Sequence, residues 1–171
     1  MRRLPAGGWV GRGVPLRFTF AGRDYQGLEG DTLASALLGN GLAGAFRSPV
    51  LGRPRGVMTA GPEEPCAFVE VSAPRFDLIA PATMVPLVDG LAAAPVTGVG
   101  RLPGPGVDAP PSQHRYAHVE ALVVGGGVAG LRAALEAAGR GDRVMLVDER
   151  SWLGGMARSF ETVEELPAWD W

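Results

Sequence analysis

The segment Val119-Glu120-Ala121-Leu122-Val123-Val124-Gly125-Gly126-Gly127-Val128-Ala129-Gly130 constrains the fold of this chain more than any other. Its apolar half reads as a buried strand over 119–124. The glycines then make a tight turn. A helix is expected over 128–140, with Leu131, Ala134, Leu135 and Ala138 spaced i, i+3, i+4, i+7 along one face. Gly141-Asp142 turns the chain. Val144-Met145-Leu146-Val147 is a continuous apolar run, as in a parallel strand covered on both faces. Asp148-Glu149 stand at its C-terminal end. Strand, helix and parallel strand in this order open a dinucleotide-binding βαβ unit.

Gly125, Gly127 and Gly130 satisfy G-x-G-x-x-G. The first glycine permits the turn, the second lets backbone amides approach a pyrophosphate, and the third allows helix and strand to pack closely. Residues 125–130 bring the positive end of the helix dipole to the phosphates. Asp148 or its neighbour Glu149, followed by Arg150, is placed to meet the ribose hydroxyls. An acid there favours NAD or FAD over NADP, because it repels a 2′-phosphate. A lone glycine fingerprint says little, and its weight here comes from the strand before it and the acid-terminated strand after it. Gly154-Gly155 has two readings: a loop passing close to the cofactor, or an ordinary turn.

Composition excludes several classes. The 171 residues carry a formal net charge of −2, which gives no case for nucleic-acid binding or a basic membrane-surface patch. No apolar run approaches the roughly 20 residues of a spanning helix. Arg2-Arg3 is followed by Pro5, Gly7 and Gly8, where a signal peptide would need its apolar stretch, so a cytoplasmic location is the default. Cys66 is the single cysteine, which rules out an intrachain disulfide and any thiolate cluster made by this chain alone. It reads as a small buried hydrophobe. His114 and His118 have no partners at metal spacing, and no serine sits in a G-x-S-x-G context. No metal site and no catalytic residue is expected.

Upstream of the fingerprint, residues 1–14 read as irregular. Leu16-Arg17-Phe18-Thr19-Phe20 alternates as a strand does. Ala21-Gly22-Arg23-Asp24 is a turn, and Tyr25-Gln26-Gly27-Leu28 is the returning strand. Asp31 is a candidate N-cap for a helix over 32–39 that ends at Asn40-Gly41. Residues 44–66 are expected to be largely loop. Ala67-Phe68-Val69-Glu70-Val71 reads as a strand, with further apolar pieces over 75–91. Five prolines and four glycines fall in 94–113, the linker signal of the chain. Glu161, Glu164 and Glu165 suggest the wet face of a final short helix, with Trp152, Trp169 and Trp171 close by.

These residues together resemble the N-terminal part of the alpha subunit of heterotetrameric sarcosine oxidases. The resemblance rests on Gly30-Asp31-Thr32-Leu33-Ala34-Ser35-Ala36-Leu37-Leu38, Arg53-Pro54-Arg55-Gly56, Gly61-Pro62-Glu63-Glu64-Pro65, Ala82-Thr83 with Leu87 and Gly90-Leu91, Tyr116-Ala117-His118 and Val147-Asp148-Glu149, in that order over most of 15–155. It implies an α+β domain followed by an α/β one: a ferredoxin-like β-grasp domain over 15–93, a linker over 94–116, and a truncated Rossmann-type βαβ unit over 117–171. In related ferredoxin-like domains three cysteines follow the Arg-Pro-Arg-Gly stretch as C-x4-C-x2-C. Here Thr59, Glu64 and Ala67 fall at those places and Cys66 lies one residue away, so no iron–sulfur cluster is expected.

The resemblance further implies a component of a flavoprotein complex that oxidatively demethylates sarcosine. The chain would contribute an NAD-binding segment (FAD is the alternative) through Gly125, Gly126, Gly127, Val128, Ala129, Gly130, Asp148, Glu149, Arg150, Gly154 and Gly155. Its partners would be the other subunits or the remainder of an alpha subunit. The later strands of the nucleotide domain are not in this sequence, and Pro49-Val50-Leu51-Gly52 stands where the family has an aromatic and basic stretch. Two other readings stay open. One is a non-catalytic remnant or interaction module. The other is an FAD-binding fragment or [2Fe–2S]-type electron-transfer domain.

Overall fold

The computed structural model describes residues 3–4, 10–48, 50–96, 114–150, 152–159, 162–163 and 166–167. The chain divides into two compact units, 1–112 and 113–171. Residues 97–113 of the linker expected over 94–116 lie outside the described residues, as do Glu161, Glu164, Glu165, Trp169 and Trp171.

The first unit is built on a five-stranded mixed sheet. Its strands are β1 (Gly11–Phe20), β2 (Arg23–Glu29), β5 (Phe68–Ala73), β6 (Asp77–Pro81) and β7 (Leu91–Pro95), in spatial order β2-β1-β7-β5-β6. Between β2 and β5 come helix α1 (Leu33–Gly39) and a two-residue ribbon of β3 (Phe46–Arg47) and β4 (Pro54–Arg55). β1 and β7 run parallel, and the other neighbours of the main sheet are antiparallel. A mixed sheet with one packed helix is the ferredoxin-like arrangement that the resemblance implies.

The alternation read in residues 16–20 is real: Phe18 and Phe20 are buried, and they join Leu33, Leu37, Phe46 and Val69 in the core. The turn after them is tight because Ala21 and Gly22 both adopt positive φ (50° and 75°). Four differences from the sequence reading have physical causes. First, β1 begins at Gly11, inside the stretch expected to be irregular. Main-chain pairing with Glu29, across a bulge before Pro15, keeps it extended without a hydrophobic pattern. Second, β7 reaches Pro95 and crosses the expected domain end at 93. Leu91-Ala92-Ala93-Ala94-Pro95 has no β-branched residue, yet it holds a central place between β1 and β5. Third, Thr32, not Asp31, caps α1. Its side chain accepts from the Ser35 amide while the Ser35 hydroxyl accepts from the Thr32 amide. Fourth, Cys66 is only partly buried.

The second unit contains β8 (Ala121–Val124), α2 (Val128–Gly139) and β9 (Val144–Val147), with β8 and β9 parallel from Ala121↔Val144 to Val124↔Val147. This is the βαβ connectivity read from the sequence. Just before the two strands, the Arg143 guanidinium donates to the Glu120 carboxylate. Two expectations fail here. The strands are not covered as expected: in β8, read as buried, Leu122 and Val124 are exposed, and in β9 Val147 is 40% exposed. The inward line of α2 is Leu131, Ala134 and Ala137, while Leu135 and Ala138 are exposed. Among the described residues this sheet has two strands, too narrow to cover the wider helix face that the spacing predicts. Thr162–Val163 pairs antiparallel with Leu166–Pro167.

Candidate functional site

The glycine-rich turn joins β8 to α2 and sits beside the C-terminal end of β9. Gly125 continues the strand ladder, donating its N–H to the Val147 carbonyl at 2.8 Å, and its φ of +105° lets the chain leave the sheet. Gly127 is the N-cap of α2. It offers no side chain to the first amides of the helix, and no acidic residue stands in the first turn. The N-terminal amides of α2 thus have no side-chain acceptor from the N-cap or the first turn.

The glycines of the fingerprint differ in why they must be glycine. A Cβ on Gly130 would lie 1.8 Å from the Gly125 carbonyl oxygen, so packing alone requires glycine there. A Cβ on Gly126 would strike Leu153 at 2.5 Å. A Cβ on Gly127 would meet nothing within 4 Å, and its φ is −74°. Nothing in the packing of the described residues asks for glycine at 127. The space a side chain would take is open, at the mouth of a helix N-terminus.

Asp148 reaches the turn. Its Oδ2 accepts the Gly126 N–H at 2.5 Å and its Oδ1 accepts the Arg150 N–H at 2.7 Å. These donors, with the Gly126 amide foremost, outweigh partial burial and hold the carboxyl below the ordinary aspartate value. It is charged at neutral pH. A carboxylate has about four acceptor sites, so two remain for hydroxyl donors. Glu149 points to solvent and is exposed, so Asp148 is the acid at the turn.

Gly154 and Gly155 lie against the glycine-rich turn. The Gly154 amide donates to the Gly126 carbonyl at 2.7 Å, and Gly127 and Gly154 form a parallel bridge. A Cβ on Gly155 would come within 3.0 Å of the Gly127 Cα. This loop therefore packs on the fingerprint itself. Gly125 to Gly130, Asp148, Arg150, Gly154 and Gly155 form one cluster, with Val128 and Ala129 opening the helix.

The loop where cluster cysteines would stand is arranged differently from a metal site. Thr59, Glu64 and Ala67 supply no thiolate, and four cysteine ligands cannot come from a chain with one. Among the described residues no three His, Cys, Asp or Glu side chains converge as metal ligands. A [2Fe–2S] group does not fit these residues. No helix among the described residues is long and apolar enough to cross a membrane.

Comparison with known proteins gives concordant results for both units. A family model described as a 2Fe-2S iron-sulfur cluster binding domain matches residues 13–98, and one described as FAD dependent oxidoreductase matches residues 120–163. The chain is 42% identical, over 97% of its length, to sarcosine oxidase subunit alpha of Corynebacterium sp. (strain U-96), covering 18% of that protein. It is 40% identical, over 90% of its length, to the same subunit of Rhizobium meliloti (strain 1021), covering 20% of that protein. The chain thus spans about a fifth of the length of these curated relatives. A solved structure, L-proline dehydrogenase from P. horikoshii, superposes with a TM-score of 0.59 at 29% identity, over 86% of this chain and 27% of that one.

Proposed function

We infer function from a plain premise: this chain belongs to the 2Fe-2S iron-sulfur cluster binding domain family. It is also homologous to the alpha subunit of sarcosine oxidase. From that premise we propose that it serves as the N-terminal segment of a sarcosine-oxidase-like flavoprotein complex. Its first unit is a ferredoxin-like domain without a cluster. Its second is the ADP-binding half of a Rossmann-type dinucleotide site. The remainder of an alpha subunit, or other subunits, would supply the rest of the site and the oxidation of sarcosine.

The observation that carries this reading is Gly127. Its side-chain space is open although its backbone would tolerate any residue. That space lies at an uncapped helix start, next to Gly126, whose amide donates to the charged Asp148; a helix start of this kind suits a pyrophosphate and the acid suits a ribose. The amides of residues 127–130 would hold the pyrophosphate, and Asp148 the ribose hydroxyls. The loop at Gly154-Gly155 would close over the turn. A nicotinamide or flavin ring attached to that ADP moiety supplies hydride or electron transfer. The match to an FAD dependent oxidoreductase model favours FAD, and the acid at 148 suits NAD and FAD alike.

Calorimetric titration of the chain with ADP-ribose, NAD, FAD and NADP tests the reading. Binding of ADP-ribose and at least one of NAD and FAD is expected, with NADP weaker. Gly127→Ala should abolish binding while costing less than about 1 kcal/mol of stability, the scale of an N-cap change. Asp148→Asn should weaken binding about tenfold, the scale of a lost charge-assisted hydrogen bond. Absence of heat with every nucleotide at millimolar concentration rejects the site. Affinity should also be flat from pH 8 to about 5. The Asp148 carboxyl is held below its unfolded value, so its charge is present above that value and is lost only as pH falls through the lower folded one.

The alternative of a [2Fe–2S] carrier is met by a separate measurement. The purified protein should contain no stoichiometric iron and no acid-labile sulfide. Two irons per chain would restore that reading.

A further inference from the structure

The loop that should surround a cluster is folded around something else. Glu64 is 1% exposed, and it is the largest polar side chain buried so completely among the described residues. Its Oε2 accepts the Met58 and Thr59 amides, each at 2.7 Å, with the Thr59 hydroxyl at 3.4 Å. Its Oε1 accepts the Cys66 amide at 2.8 Å and the Ala67 amide at 3.2 Å. These donors come from both sides of the loop 58–67. All are neutral, and among the described residues Glu64 forms no ion pair. Burial by itself would raise the carboxyl pKa, but the amides of Thr59, Cys66, Met58 and Ala67 prevail and hold it below the ordinary value. Glu64 is a carboxylate at neutral pH, solvated by main-chain dipoles.

A protein-bound iron–sulfur cluster presents a comparable need. Its sulfurs are negatively charged, and backbone amides of the surrounding loop point at them. The positions matching the cysteine spacing are Thr59, Glu64 and Ala67. Two of these donate amides to the carboxylate of the third. The Glu64 side chain occupies the interior of its own loop, and the buried Thr83 hydroxyl ties the outer turn by donating to the Gly61 carbonyl at 2.8 Å. We propose that the Glu64 carboxylate is a built-in replacement for the cluster: one covalently attached anion that collects the loop amides and keeps a ferredoxin-like domain folded without metal. The loop is thereby fixed as a surface and freed from electron transfer. No redox step is assigned to it.

The first measurement uses the unaltered full chain. The amides of Met58, Thr59, Cys66 and Ala67, although outside any strand or helix, should exchange with deuterium slowly at neutral pH. Exchange at the rate of an unfolded chain overturns the proposal. The second uses Glu64→Gln, which keeps the shape but turns one acceptor into a donor facing amide donors. Those four amides should then exchange about ten- to a hundredfold faster, matching the loss of hydrogen bonds to a charged group. The Cys66 thiol should react faster with a disulfide reagent. Exchange unchanged within about twofold in that variant rejects the anion role. Incubation of the unaltered protein with ferrous iron and sulfide separates the two occupants. No cluster absorption is expected, and a stable two-iron product would show that Glu64 does not hold the place.

Discussion

Gly130→Ala should unfold the βαβ unit. An alanine Cβ would be placed 1.8 Å from the Gly125 carbonyl oxygen and 3.5 Å from the Val123 Cγ1. The first contact is with backbone, which cannot swing aside as a side chain can. Relief would require α2 to lift from β8, and α2 touches this sheet along one narrow line, Leu131, Ala134 and Ala137. Overpacking of this kind costs about 1–3 kcal/mol when neighbours can adjust. Here the obstacle is rigid and the unit is small, so a loss above 3 kcal/mol is expected, on the order of the whole stability of so few residues. Hydrogen exchange over residues 121–124 and 144–147 reads it directly: protection should vanish in Gly130→Ala and persist in Gly127→Ala. Equal protection in the two variants would remove the distinction between a glycine demanded by packing and one left open for a ligand. The pair thus separates stability from binding within a single motif.

How much of this was legible in the sequence depended on whether a signal was local. The fingerprint was legible because each of its demands, turn, close approach and helix start, acts within a few residues of its own position. The β1–β2 hairpin was legible for the same reason: Phe18 and Phe20 alternate, and Ala21-Gly22 supplies the turn. β7 was not, because its place between β1 and β5 is set by partners distant in sequence, and its alanines carry no strand preference of their own. Within the candidate site, Asp148 and Glu149 could not be separated from the sequence. Which of two adjacent acids faces the turn depends on the pleat at the strand end. Glu64 could be seen only as a missing cysteine. Its spacing marked the position, but that its carboxylate turns inward to collect four amides follows from the closed shape of the loop.

Asp31 belongs with those residues whose local reading was displaced by a tertiary one, and it gives the second large expected effect. The sequence placed it as a helix cap. In the structure Thr32 and Ser35 do that work, and Asp31 is 3% exposed. Both its oxygens receive the Arg3 guanidinium in a bidentate pair. Oδ2 also accepts the Leu28 amide at 2.8 Å, and Oδ1 accepts the Ser35 hydroxyl at 2.6 Å. One carboxylate therefore joins the N-terminal segment, the end of β2 and the first turn of α1. Breaking a buried pair by deleting one partner typically costs about 3–5 kcal/mol, because the other charge is left unpaired. Asp31→Ala is expected to lower the stability of the first unit by that amount, seen as a fall in the urea midpoint. Arg3→Ala should cost less, since Leu28 and Ser35 still donate to the carboxylate. The double variant should be more stable than the sum of the two losses predicts, with a coupling of about 0.5–3 kcal/mol. Additive losses would mean that the Arg3–Asp31 pair is incidental and that the Leu28 and Ser35 bonds carry the effect. A loss below about 1 kcal/mol in Asp31→Ala would mean that the N-terminal segment is not fastened to the sheet through this carboxylate.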